Sequence, residues 1–243
     1  MDENNIFSEK KTIVIWGDTQ VGKTSWLASA IYGCEKLKSF IDMERSAESL
    51  TKLIYPHWRN LTIGMNTEGT IEEKIDVSLY LKSGLCLELR DIRGRLVHEL
   101  ANDSIREKLL ADIDGILFLV EWDSPNLDHQ FTVLYSILPF VASLPSGLIF
   151  TKCEKGLRAE AKEWSAYTSW WREWPRIQSH ARVVGPFGDR AWPVSAFGYC
   201  RNLAAPDFPA VILGEFGNTM PFGIDPRNVS VPLISIMREL GIQ

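Results

Sequence analysis

An α/β fold with a doubly wound, mostly parallel sheet and one antiparallel edge strand is the class this sequence predicts, on three observations. Short apolar runs recur along the chain between longer amphipathic stretches, the alternation of strand with helix. A Gly-containing turn stands between the first apolar run and the first helical stretch. Two strand-like runs lie on either side of Ser83-Gly84, so they read as a hairpin that supplies the antiparallel strand.

The elements follow in order. Thr12 to Trp16 is a buried strand, and Lys23 to Ile31 is the helix behind it. Asp42 to Ile54 reads as a helix. Ile75 to Leu81 alternates, with Ile75, Val77, Leu79 and Leu81 on one face, and Leu85 to Leu89 is its hairpin partner. Val97 to Leu110 is helical, Gly115 to Val120 is a central strand, and Asn126 to Val141 is mostly helix. Leu148 to Phe150 is another buried strand. Leu157 to Trp174 reads as a helix stopped by Pro175. Ala191 to Val194 is a short strand and Val231 to Leu240 the closing helix.

No composition shift, repeat or low-complexity tract marks a second unit. Residues 1–243 therefore read as one domain with inserts near 39–60 and 197–227. The insert at Ser39 to Asn60 is mixed in charge and reads as a solvated helix, placed to act as a regulatory lid. The Gly- and Pro-rich stretch from Phe197 to Arg227 reads as a long excursion. Area scaling lets a chain of this size bury nearly three quarters of its unfolded surface, so no disulfide or metal staple is needed.

Composition excludes several function classes. Lys plus Arg is 26 and Asp plus Glu is 31, a net charge of −5, which argues against a general nucleic-acid backbone binder. The longest apolar run, Ile116 to Val120, is far below the ~18 residues of a membrane span. Cys34, Cys86, Cys153 and Cys200 form no Cys-x-x-Cys pair and read as reduced thiols. The polar stretch from Met1 to Lys11 resembles no signal peptide, so a cytoplasmic location is expected. Trp164, Tyr167, Trp171 and Trp174 recur at helical spacing and are expected to pack on the sheet, leaving Trp170 as a candidate partner anchor.

The chemistry-bearing motif is Gly17-Asp18-Thr19-Gln20-Val21-Gly22-Lys23-Thr24, a G-x-x-x-x-G-K-[ST] run between a strand and a helix, continuing into Ser25. Its glycines let successive amides face phosphate oxygens, and the helix start adds its positive end. Lys23 supplies a cation between β- and γ-phosphates, and the Thr24 hydroxyl is a Mg²⁺ ligand.

A second element, Asp91-Ile92-Arg93-Gly94, follows a predicted strand. Its carboxylate can hold Mg²⁺ through water, and Gly94 allows the backbone to approach a γ-phosphate. A γ-phosphate sensor also needs a Thr that reaches Mg²⁺. Thr62, Thr67 and Thr70 are the candidates, and Thr70 is preferred because it leads directly into the hairpin.

With these motifs in place the chain resembles the small-GTPase superfamily of P-loop NTPases (the TRAFAC class): the Ras, Arf and Rag-like members and the signal-recognition-particle receptor β subunit. Thr151-Lys152-Cys153-Glu154 resembles the base-recognition motif [NT]-K-x-D, and Ser195-Ala196-Phe197 resembles the S-A-x motif. The resemblance covers about 230 residues and leans toward bacterial GTPases of conflict or signalling operons.

It implies GTP or GDP with Mg²⁺ as ligands, slow GTP hydrolysis, and an effector or regulatory protein partner, encoded in the same operon. Lys152 would lie along the base, Ala196 would offer its amide to the guanine oxygen, and Glu154 would pair with the guanine N–H groups.

Three departures bear on this. Glu154 replaces the usual Asp. Arg95 follows Gly94 where many relatives carry a water-orienting Gln, although Arg95 or Arg93 can still neutralise transition-state charge. Thr19 stands where fast-cycling relatives have Gly. Two rivals follow: a nucleotide-locked scaffold that never turns over, and a P-loop ATPase or kinase.

Overall fold

The computed structural model describes residues 9–18, 20–62, 74–92, 104, 107–108, 110–153, 170–196, 212–214, 217–219 and 226–242. The chain is α/β. Its main sheet contains β1 (Lys10–Gly17), β2 (Lys74–Tyr80), β3 (Cys86–Ile92), β4 (Gly115–Glu121), β5 (Ser146–Thr151) and β6 (Ala191–Pro193). The strand order is β2-β3-β1-β4-β5-β6. Only β2, at one edge, runs antiparallel to its neighbour. In β1, Ile15 pairs with Asp91 on one side and Leu117 on the other.

The near-continuous apolar sequences of β1, β4 and β5 follow from burial on both faces. Ile13 and Ile15 face a core shared with Trp26, Leu27 and Ile31 of α1 (Lys23–Tyr32) and with Leu233 and Ile236 near the chain's end. Val14 and Trp16 face the other core, with Phe118, Phe150 and the apolar face of a long helix after β4 (Leu127–Val141). Trp16 meets Phe118 edge-on at 5.3 Å between ring centroids.

The first insert differs from the expected solvated helix. After the short α2 (Glu35–Lys38), the Asp42 carboxylate accepts the Arg45 amide and holds a turn, which delays the helix start. Helix then runs as α3 (Ala47–Ser49), a π-helical turn (Leu50–Ile54) and α4 (Tyr55–Thr62). Leu50, Ile54 and Leu61 are buried, so one face of the insert is core.

This insert covers the free edge of β2. Ser46 Oγ accepts the Tyr80 amide at 2.9 Å and Ser49 Oγ accepts the Ser78 amide at 2.9 Å. Near the insert's start, Ile41 also bridges Leu81, the residue after β2. A row of unsatisfied edge N–H groups, otherwise a template for aggregation, is thus occupied. Trp58 of α4 stacks on Tyr32 of α1 at 6.2 Å.

Further α-helices among the described residues include α5 (Leu127–Val141), α6 (Pro175–Gln178), α7 (Ala181–Val184) and α8 (Val231–Glu239). The expected helix from Leu157 to Trp174 does not end as anticipated. Trp170–Glu173 is a 3₁₀ turn, and Trp174 is extended (φ −107°, ψ 104°). Pro175 disfavours helix at the residue before it and is pre-set for a helix start, so it opens α6 where the sequence reading had it stop a helix.

Trp171 is buried, and Trp174 meets Trp122 edge-on at 4.1 Å. The side chain of Trp170 and the positions Trp164 and Tyr167 lie outside the described residues, as does most of 97–110, where Ser104, Glu107 and Lys108 are helical.

The second insert is closed at its base. Ser195 and Arg227 exchange backbone hydrogen bonds of 3.1 and 2.9 Å. Within it β7 (Ile212–Gly214) and β8 (Gly217–Thr219) form a separate antiparallel pair. Among the described residues, no helix is long and apolar enough to cross a membrane.

Candidate functional site

The C-terminal ends of the parallel strands gather the motif residues on one edge of the sheet. The chain leaves β1 to build β2 and β3 on one side, then crosses to β4 on the other. In open α/β sheets the crevice at such a topological switch point is where ligands bind. Gly17 ends β1 there. A Cβ on Gly17 would stand 2.7 Å from the Leu119 carbonyl oxygen and 2.9 Å from Val21 Cγ2, so no larger residue fits without displacing backbone.

The turn that follows is conformationally unusual. Gln20 has φ 63° and Gly22 has φ 89°, both left-handed. Gly22 is the N-cap of α1, and its carbonyl accepts the Trp26 amide at 2.8 Å. Val21 is buried, and Ser25 is half-buried in the first turn of α1.

Lys23 is almost wholly buried, and its ammonium donates to the carbonyls of Gly17 (2.8 Å) and Asp18 (3.0 Å). Burial pushes its pKa below the ordinary lysine value, against the pull of the Asp91 and Asp18 carboxylates. The Thr24 hydroxyl donates to Asp91 Oδ2 at 3.3 Å across the β1–β3 boundary.

Thr24 and Asp91 are oxygen donors of the kind a hard cation takes, and their adjacency fits one. Among the described residues no three His, Cys, Asp or Glu side chains form a metal cage. Two protein donors would leave the other positions of such a cation to water or to oxygens of a ligand.

The second cluster lies at the ends of β4, β5 and β6. The Thr151 hydroxyl donates to the Val21 carbonyl at 2.5 Å, tying β5 to the turn after β1. Lys152 has φ 59°, and its ammonium meets Glu121 Oε2 at 2.7 Å. The Trp122 indole donates to the Lys152 carbonyl at 2.8 Å. The Cys153 amide donates to the Val194 carbonyl, drawing this turn toward β6. Ser195 is fully buried, and the Ala196 carbonyl accepts the Ser29 hydroxyl at 2.8 Å, which anchors this turn to α1.

No family model and no curated protein matches the chain.

The structure therefore brings together Gly17, Asp18, Gln20, Val21, Gly22, Lys23, Thr24, Ser25, Asp91, Thr151, Lys152, Ser195 and Ala196 along one sheet edge. Thr62 ends α4, with its hydroxyl donated to the Arg59 carbonyl at 2.8 Å. Thr19, Thr67, Thr70, Arg93, Gly94, Arg95, Glu154 and Phe197 lie outside the described residues.

Sequence reasoning passed over Glu121, Trp122, Ser29 and Asn228. Asn228 has φ 58° and donates its side-chain amide to the Pro193 carbonyl at 2.8 Å. Glu121 carried a readable signal: it is the first charged residue after the apolar run Ile116 to Val120, hence a carboxylate at a strand end.

Proposed function

We propose that the chain is a guanine-nucleotide switch. It binds GTP and GDP with Mg²⁺, hydrolyses GTP slowly and signals to a partner protein in the cytoplasm. One observation carries the reading. A buried, desolvated Lys23 sits in a left-handed, glycine-capped turn at the switch point, with the hydroxyl of Thr24 set against the carboxylate of Asp91. Such a turn offers backbone amides, a cation and a metal-ligand pair to one polyphosphate.

The residues divide the work. A polyphosphate entering the turn supplies new acceptors for Lys23, whose ammonium now rests on loop carbonyls. Thr24 and Asp91 would hold Mg²⁺, which would supply charge neutralisation to the phosphates when bound. Thr70 and Gly94 contact the γ-phosphate and are released on hydrolysis, the order-to-disorder device of nucleotide switches.

Arg95 or Arg93 supplies positive charge to the transition state. Lys152 supports the base, and Glu154 and Ala196 read its edge. Glu154 is one methylene longer than the usual Asp; its carboxylate can still be a bidentate acceptor for two guanine N–H groups in a pocket adjusted to the longer side chain.

The sequence also favours a second reading. Arg95 in place of a water-orienting amide, with Thr19 beside the γ-phosphate, suits a nucleotide-locked module of a protein complex that never turns over.

Single-turnover phosphate release from bound GTP separates the two. Slow release that Lys23→Ala abolishes is the expected result. GTP that stays intact, alone and with co-purifying partners, establishes the locked module. A third arrangement, a P-loop ATPase, requires ATP to bind as tightly as GTP.

A further inference from the structure

We propose that Glu121 and Trp122 are positioning residues. Together they clamp Lys152 at two points, so that its methylene stem forms a fixed, flat support for a nucleobase. The proposal rests on the guanine-nucleotide reading and names residues which that reading does not use.

Lys152 is constrained at three places. Its backbone is left-handed (φ 59°), a conformation that L residues with a side chain adopt at a cost and that clusters at ligand sites. Its carbonyl accepts the Trp122 indole N–H at 2.8 Å. Its ammonium lies 2.7 Å from Glu121 Oε2, with the two side chains about one third and one fifth exposed.

An isolated surface ion pair between flexible side chains contributes little. This pair joins the ends of neighbouring strands instead, since Glu121 stands opposite Thr151 in the β4–β5 register. Trp122 is itself held, its ring edge-on against Trp174 at 4.1 Å.

The consequence is geometric. With the backbone fixed at one end and the ammonium fixed at the other, the methylenes between them span the β4–β5 ends as an apolar strip. A lysine stem covers apolar surface while its ammonium stays paired, so the face of a planar heteroaromatic ring can lie against such a strip.

A free lysine would have to lose rotamer freedom when the base arrived; here that freedom is already restricted. The clamp also sets the plane of the base, and so the height at which Ala196 meets its edge. Neither Glu121 nor Trp122 belongs to the phosphate-side group of Lys23, Thr24 and Asp91.

The test compares a ligand with a base and one without. Mg²⁺-GTP, Mg²⁺-GDP and Mg²⁺-tripolyphosphate are titrated calorimetrically into the full chain and into Glu121→Gln, Glu121→Asp and Trp122→Phe, each checked for folding by a thermal melt. The expected result is a loss of about tenfold in GTP and GDP affinity for Glu121→Gln and Trp122→Phe, the size of one charge-assisted or buried hydrogen bond. Tripolyphosphate affinity stays within about twofold, the scatter expected for uncoupled sites. Glu121→Asp recovers part of the loss.

Equal GTP affinity in wild type and both variants overturns the clamp and leaves the nucleotide reading intact. So does a parallel loss of GTP and tripolyphosphate, which marks a purely structural role. Wild-type protein that binds no nucleotide overturns the nucleotide reading and the clamp with it, and is seen before any variant is made.

Discussion

The turn around Lys23 and the cluster around Lys152 share one edge of the sheet and are built in opposite ways. The first lies within one stretch of sequence, Gly17 to Thr24, and its described residues are shaped by backbone conformation: a glycine pressed against Leu119 and a left-handed cap at Gly22. The second is assembled from separate pieces of chain, joined by side-chain bonds to backbone carbonyls: Trp122 to Lys152, Thr151 to Val21, Ser29 to Ala196. A local turn fails when its backbone is crowded. An assembled cluster fails one stitch at a time, and each stitch has a separate, smaller effect.

The largest effect is therefore expected in the local half. Lys23→Ala is expected to weaken Mg²⁺-GTP binding by about 100-fold, the upper end for a hydrogen bond to a charged group, with the fold retained by near-UV circular dichroism. Gly17→Ala is expected to cost about 2–3 kcal/mol, because its methyl meets the Leu119 carbonyl at 2.7 Å. Urea unfolding measures it, and a neutral result breaks the contrast between the halves.

Thr151→Val keeps the shape and removes a hydroxyl that donates to Val21 in the buried turn. A loss of about 1–2 kcal/mol is expected on urea unfolding. Because this bond joins the halves, nucleotide affinity should fall with it.

Ser46→Ala, far from both, should cost about 1 kcal/mol by freeing the Tyr80 amide. It should leave nucleotide affinity unchanged. A change in affinity there would restore to the first insert the lid role that its β2 contacts argue against.

Proton linkage sharpens the same contrast. Burial lowers the Lys23 pKa below 10.5 in the folded protein. Between the lowered value and 10.5 the unfolded chain binds more protons, so Lys23 makes stability rise with pH across that window. A bound polyphosphate favours the charged amine, so affinity is expected to fall as pH rises through the lowered value, before the ordinary lysine range. Titrations of Mg²⁺-GTP at rising pH should show this fall as the difference between wild type and Lys23→Ala.

What was legible in the sequence follows the same division. The buried strands are local patterns, and each appears where its residues predict; the Gly17–Thr24 motif is equally local, and left-handed backbone at Gln20 and Gly22 lies between β1 and α1. The single antiparallel edge was readable because Val77 and Leu79 alternate with polar neighbours and Ser83-Gly84 supplies the turn.

The misreadings involve partners distant in sequence or one residue with two meanings. Pro175 ends a helix or begins one, and only the extended Trp174 before it decides which. Ser46 and Ser49 look like solvent-facing helix residues until the β2 edge is beside them. Glu121 gains its meaning from Lys152, which is 31 positions away.

A guanine nucleotide with Mg²⁺ is the ligand proposed for this edge of the sheet. Its most direct test is calorimetric titration of the full chain with GTP and with ATP, each with and without Mg²⁺. Saturable binding of GTP, weaker binding of ATP, and a loss of GTP affinity when Mg²⁺ is removed are the expected results. ATP binding as tight as GTP binding would contradict the guanine assignment, and no binding of either would contradict the nucleotide site itself.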